Sequence, residues 1–418
     1  MKKYVTILLL IFIVFISGCK KLNLPPIYEE SSFYQVEKLK VTKFDEVIGS
    51  KDSGVILDRD FSNAFLDFSY KTASELLEFK NIMISPVSYF YALSALAEVT
   101  SDEARDEITA ALGLSDISLL RKSNQDLFKK LTYENEISTL QLANSIWLRD
   151  DTEYSNAPLK VLRDYYYVSS FGVNFSSSED KAAIGQWVSD NTGGNLGEGA
   201  FDDLSPQTMF VLINTIYFYD EWVDKFNEDL NYEAEFIGSS EPATYMRQRL
   251  HGSYIEEGNY IASALKFKNG LNIRFVAPNT NEDLNDILSS EAKLKSALEF
   301  NPLGFSLIDY EIPKFSYFSN FNLLDYTENI GIKKVLSPSI SSFKDFVEGE
   351  LFVSSIIHET FIKIDESGGE AAAYTSIGAE ATSVGPNAEL FRLNKPFIYA
   401  IYSGDYPLFI GVVINPSF

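Results

Sequence analysis

Apolar residues recur along this chain in two rhythms. Phe61, Phe65 and Phe68 fall at helical spacing, and Leu76 and Leu77 extend that face, so the spacing predicts a helix. Thr100-Ser101-Asp102-Glu103 sets a hydroxyl three residues before a carboxylate, a capping-box pattern that predicts a helix ending near Gly113. Leu140–Leu148 and Met209–Tyr219 are instead apolar runs, the second rich in β-branched and aromatic residues. The first surrounds Asn144 and the second holds one amide, Asn214, and each predicts a buried strand. A buried amide must find hydrogen-bond partners or cost a few kcal/mol (~1–3). Leu271–Pro278 predicts another strand and Asn281–Leu298 a helix. Phe397–Tyr402 and Leu408–Ile414 predict two strands joined by the turn residues Ser403-Gly404-Asp405. Strands and helices are interspersed without the alternation of a doubly wound sheet, and no repeat or linker follows about residue 56. The body reads as one large α+β domain over residues 57–418.

The first nineteen residues follow another pattern. Lys2 and Lys3 precede Val5–Ile16, which is apolar except for Thr6. A helix of that length rises about 18 Å, short of the roughly 30 Å hydrocarbon core, so it reads as a signal peptide rather than a span. It ends in Ile16-Ser17-Gly18-Cys19, which resembles the lipobox of bacterial lipoproteins. That resemblance implies removal of residues 1–18 and a lipid on Cys19. Each buried CH₂ of an acyl chain contributes about 0.8 kcal/mol, so several chains anchor firmly. Residues 19–56 read as a tether stiffened by Pro25-Pro26, holding the body outside the membrane.

Composition narrows the chemistry. The 418 residues carry a net charge of −24, and no cluster of Lys and Arg follows the N-terminus. Nucleic acid and heparin-like polyanions are therefore not expected as partners. Cys19 is the single cysteine, so no intramolecular disulfide forms. The two histidines, His251 and His358, rule out a His-rich metal site. Neither lies in a catalytic motif, and no Gly-rich phosphate loop or paired-carboxylate motif is present. The expectation is a monomer that is not an enzyme and has no cofactor and no metal.

Six segments, in order, resemble the signatures of one family. Asn81–Ser88 (NIMISPVS) is similar to that family's entry to its second helix, with Ser85, Pro86 and Ser88 in place. Leu212–Phe218 (LINTIYF) resembles its strand motif, and Trp222 and Phe226 keep the spacing after it. Ile312–Phe315 (IPKF), Ile364–Ala373 (IDESGGEAAA), Asn394–Phe397 (NKPF) and Pro407–Gly411 (PLFIG) resemble later signatures. The family is the serpins, protease inhibitors, and the resemblance implies three β-sheets, eight or nine helices and an exposed reactive loop over about 366–393. It implies a shutter of Ser85, Pro86, Ser88, Asn214 and His358, and a Lys314–Glu366 pair with Trp222 near the top of the main sheet.

The hinge residues Glu366, Gly368, Gly369, Glu370, Ala371, Ala372 and Ala373 suit a strand that must enter a closed core. Successive side chains of a strand face opposite sides. Counting from Glu366, the inward set is Gly369, Ala371, Ala373, Thr375, Ile377 and Ala379, with no charge. The outward set includes Glu370, Tyr374 and Glu380. Gly369 stands where the family usually has Thr or Ser. By family spacing the cleaved bond lies between Thr382 and Ser383. No Lys or Arg occurs between Glu366 and Arg392, so the resemblance implies an elastase-like or subtilisin-like serine protease as partner, or a cysteine protease, trapped covalently. The alternative is a non-inhibitory, surface-binding lipoprotein on the same scaffold.

Overall fold

The computed structural model describes residues 33–34 and 54–416, except 198, 200, 301–305, 339–340, 350, 354–355 and 370–387. Its strands, in chain order, begin with β1 (Phe33–Tyr34), β2 (Ile82–Ile84), β3 (Tyr133–Asn135), β4 (Ser138–Arg149), β5 (Tyr154–Ser155) and β6 (Val168–Val173). There follow β7 (Phe210–Glu221), β8 (Tyr232–Ala234), β9 (Ala243–Glu256), β10 (Tyr260–Lys266), β11 (Leu271–Pro278) and β12 (Ser306–Pro313). The last are β13 (Phe315–Asn322), β14 (Ile357–Ile364), β15 (Gly368–Gly369), β16 (Glu389–Arg392), β17 (Phe397–Ser403) and β18 (Tyr406–Val413). The α-helices among the described residues are α1 (Arg59–Leu76), α2 (Pro86–Val99), α3 (Asp102–Ala111), α4 (Ile117–Leu131), α5 (Asn156–Tyr166), α6 (Ser178–Asp190), α7 (Asn281–Leu288), α8 (Glu291–Leu298) and α9 (Leu324–Asn329).

The main sheet has the order β13-β14-β15-β7-β4-β3, with β6 parallel to β4. A second sheet runs β16-β12-β9-β10-β11-β17-β18-β2. Its long strand β9 pairs with β12 through Tyr245–Gly252 and with β10 through Ser253–Glu256, so one strand serves two arrays. With the main sheet, these arrays give the three sheets expected. A two-residue pair, β1 with β5, is separate and draws Phe33 and Tyr34 of the expected tether onto the body.

Helix α2 explains how the layers hold together. It is buried along nearly its whole length and packs against both β7 and β18. A helix apolar on all sides belongs in the interior. Pro86 opens it at a position where no backbone donor is needed, and the Ser85 hydroxyl accepts the N–H of Ser88 at 3.3 Å. The Phe61, Phe65 and Phe68 stripe of α1 lies against Phe90 of α2, with ring centroids 5.3–5.5 Å apart. On the other face of the main sheet, Trp187 of α6 meets Trp147 of β4 edge-on at 6.3 Å.

Two local expectations are corrected. The capping box at Thr100–Glu103 does not form. Ser101 is the N-cap of α3 without a side-chain bond to the helix, because its hydroxyl donates to Asp345 Oδ2 at 2.9 Å. Thr100 donates to the Ala97 carbonyl at 3.1 Å. A remote carboxylate thus takes the Ser101 hydroxyl, and the last turn of α2 takes that of Thr100. The expected Asn281–Leu298 helix is two helices: Ser289 ends α7, and the Ser290 side chain accepts the N–H of Lys293 to cap α8. Apolar spacing runs through this break, and only the serine pair marks it.

Candidate functional site: the opening in the main sheet

The site is a parting between β7 and β14. Two residues of the hinge, Gly368 and Gly369, stand between them as β15. Gly369 pairs antiparallel with Ile364 of β14 and with Asp220 of β7, and Gly368 pairs with Glu221. Beyond β15, no ladder joins β7 to β14 among the described residues. Lower in the parting lies a cavity of about 240 Å³ lined in part by Leu93, Phe210, Leu212, Asn214, Ile356 and His358.

Glycine at both hinge positions has a steric cause. A Cβ on Gly368 would lie 2.0 Å from the Asp220 carbonyl oxygen, and one on Gly369 would lie 2.4 Å from the Phe218 ring. The φ of Gly368, +155°, is also one that side-chain-bearing residues seldom adopt. The Phe218 ring thus occupies the space that a Thr or Ser at 369 would need.

Above the glycines, the chain is pinned to the end of β7. Trp222 is buried, and its indole N–H donates to the Asp365 carbonyl at 2.8 Å. The Trp222 backbone N–H donates to Ser367 O at 2.9 Å, and that of Phe226 to Glu366 O at 3.0 Å. The Trp222 ring stacks on Phe267 at 4.4 Å, fixing its direction. Lys314 pairs with Glu366 at 3.2 Å, and the Asn231 amide also donates to that carboxylate. Both members of the ion pair are largely buried, so removing either would leave a costly unpaired charge.

Below, four predicted residues meet in one network. The backbone N–H of Ser85 donates to Nε2 of His358 at 3.0 Å. That nitrogen must therefore carry a lone pair, which puts the ring proton on Nδ1. Burial pushes the His358 pKa down to about 4, so the ring is neutral at pH 7. The Ser88 hydroxyl donates to Asn214 Oδ1, and the Asn214 amide donates to Asn144 Oδ1. Asn144 in turn donates to the Tyr166 carbonyl at 3.0 Å. The chain of bonds runs from α2 through β7 and β4 to the end of α5. Such a network can exchange partners as strands slide without leaving a polar group bare.

Glu366, Gly368, Gly369, Ser85, Pro86, Ser88, Asn214, Trp222, Lys314 and His358 are thus placed at the upper or middle part of the parting. Cys19, Glu370, Ala371, Ala372, Ala373, Thr382 and Ser383 lie outside the described residues. Sequence reasoning did not single out Asn144 as a relay, although an amide within an apolar run was its signal. Asn231 and Asp220 gave no comparable signal. Among the described residues no group of three or more His, Cys, Asp or Glu side chains is arranged to hold a metal ion.

The comparisons with known proteins agree with this geometry. The profile of the family described as Serpin (serine protease inhibitor) matches residues 63–416, and the chain belongs to that family. Serpin A3-3 of Bos taurus is 29% identical over 372 residues, covering 85% of this chain and 89% of that protein. Antitrypsin of Bombyx mori is 27% identical, covering 80% of this chain and 88% of that one. Among solved structures, a thermophilic serpin, tengpin, in its native state superposes with a TM-score of 0.77 at 27% identity, covering 91% of this chain and 100% of that one. Serpin48 of Tenebrio molitor gives 0.74 at 25% identity, covering 85% and 98%. Serpins are in general inhibitors that act on proteases, not enzymes.

Proposed function

We propose that this chain is an irreversible suicide inhibitor of serine endopeptidases with a small primary pocket, elastase-like or subtilisin-like. The observation that carries the reading is the pairing of Gly369 with both β7 and β14. Carried onward residue by residue, that register sets Ala371 between Phe218 and Ile362, Ala373 between Ile216 and Thr360, and Thr375 between Asn214 and His358. Of these partners Phe218, Ile362, Ile216, Thr360 and His358 are buried, and Asn214 is half-buried. On insertion in that register, small neutral loop residues would fall inward and Glu370 and Tyr374 outward.

The chemistry belongs to the attacking protease. Its serine hydroxyl adds to the carbonyl carbon of Thr382, the Thr382–Ser383 amide bond breaks, and the Ser383 amine leaves with a proton. The loop's N-terminal half, now ester-linked to the enzyme, enters the parting as a central strand. It carries the protease with it before water can hydrolyse the ester. No cofactor is needed, and the inhibitor acts as a monomer. A cysteine protease would form the equivalent thioester. The direct test is covalent trapping, described at the end of the Discussion.

The lipobox resemblance at Ile16-Ser17-Gly18-Cys19 supports a location outside a bacterial membrane, held by lipid on Cys19. Replacing Cys19 by Ser should shift the protein from the membrane to the soluble fraction. The mature N-terminus of the wild type should lack residues 1–18 and gain the mass of acyl chains. An unmodified Cys19 in the mature protein would sink the anchor.

A further inference from the structure

Asp220 is a fully buried carboxylate at the end of β7, directly opposite Gly369 of the hinge. Its Oδ1 accepts the Glu221 N–H at 2.9 Å, and its Oδ2 accepts the Asn269 N–H at 3.2 Å. The Ser138 hydroxyl, across the ladder on β4, also favours its charged form. One side chain thus joins β7, the start of β4 and the turn between β10 and β11. Among the described residues no cation forms an ion pair with it. Lys225 and Lys268 pair with Glu221, Lys314 with Glu366, and Lys363 with Asp365. The other titratable groups against it are the Glu221 carboxylate, whose negative charge also disfavours ionisation of Asp220, and Tyr133 of β3, whose hydroxyl meets Ser138.

A buried charge held only by neutral donors is strained. Burial raises the Asp220 pKa from the ordinary 3.8 to about 6, against the opposing pull of Asn269, Ser138 and the Glu221 N–H. Admitting a strand moves β7 and its partner β4 away from β14. The Asp220–Asn269 bond ties that moving pair to a turn of the other sheet. Strain on this bond as the strands part below β15 would let water reach the carboxylate.

We propose that Asp220 is a positioning residue that sets how readily the main sheet admits the loop, with its ionised carboxylate favouring the opened state. The inference rests on the loop-insertion reading above. Its sign follows from linkage. The closed state holds the proton more tightly than a hydrated carboxyl would, so opening is favoured as pH rises through about 6 and disfavoured below it.

The probe is a synthetic peptide of residues 369–380, annealed to the intact protein of residues 20–418. Its entry is followed by native-gel mobility and tryptophan fluorescence between pH 5 and pH 8. The wild-type rate should rise about tenfold from pH 5 to pH 7 and then level off. Asp220→Asn, neutral at every pH, should anneal slowly and flatten that profile. Ser138→Ala removes a donor to the carboxylate, so its profile should steepen and level off at higher pH. This variant answers the question even if Asp220→Asn does not fold. Equal, parallel profiles in the wild type and the variants would overturn the role of Asp220 while leaving insertion intact. No annealing by any protein at any pH would overturn both readings.

Discussion

Cutting the loop between Thr382 and Ser383 raises the thermal midpoint of the protein by on the order of 20 °C. The expectation comes from the two strand edges that face each other across the parting. Residues 357–363 of β14 and 210–219 of β7 exchange no ladder bonds with one another among the described residues. A strand entering between them, antiparallel to both, extends the pairing begun by Gly368 and Gly369. A net gain of about 1 kcal/mol per bond over about ten new bonds is about 10 kcal/mol. At about 2 °C per kcal/mol for a large domain, that gives the stated rise. The uncut form is held by a barrier rather than by its equilibrium free energy, so its measured midpoint should depend on scan rate. Calorimetry before and after limited digestion, with the cut mapped by mass spectrometry, checks both points. An unchanged midpoint would mean that the cut loop stays outside.

The second large effect depends on which way each hinge side chain points. Ala373→Arg should convert the inhibitor into a substrate: the loop is cut, the protease is released active, and the trapped fraction falls at least about a hundredfold. In the register set by Gly369, residue 373 comes between Ile216 and Thr360, both buried. An unpaired guanidinium there costs several kcal/mol. Each 1.4 kcal/mol of added barrier slows insertion about tenfold while deacylation keeps its pace. Ala372→Arg, one residue away and facing outward, should still trap. The paired variants separate strand parity from a general intolerance of charge in the hinge. The ratio of trapped to cleaved inhibitor, read by densitometry, is the measurement. Equal loss in both variants would contradict the inward–outward assignment.

Much of this arrangement was legible in the chain because its causes are local or repeat at short range. The apolar run Met209–Tyr219 had to be a buried strand, and its one amide had to find partners; Asn214 has them in Ser88 and Asn144. Of the small residues after Glu366, Gly368 and Gly369 are described, and they pair as a short strand between β7 and β14. What stayed hidden arises from contacts between segments far apart in sequence. Ser101 meets Asp345 and leaves the capping box unmade. Strand β9 serves two arrays because its neighbours change along its length. Asp220 looks like an ordinary polar strand end, and only the packing of three remote segments shows that it is buried. Gly369 departs from the family's usual residue, and a Cβ there would lie 2.4 Å from the Phe218 ring, a contact that only the packed sheet reveals.

The central claim is that the loop is bait for a covalent trap. Residues 20–418, without lipid, are mixed with an elastase-like, a subtilisin-like, a trypsin-like and a papain-like protease and run on a denaturing gel. The account predicts a band at the summed mass that survives boiling with the elastase-like or subtilisin-like enzyme. A released C-terminal peptide beginning at Ser383 should accompany it. Clean cleavage of the loop by all four proteases, with no such band, would contradict it and leave a binding protein on a serpin scaffold.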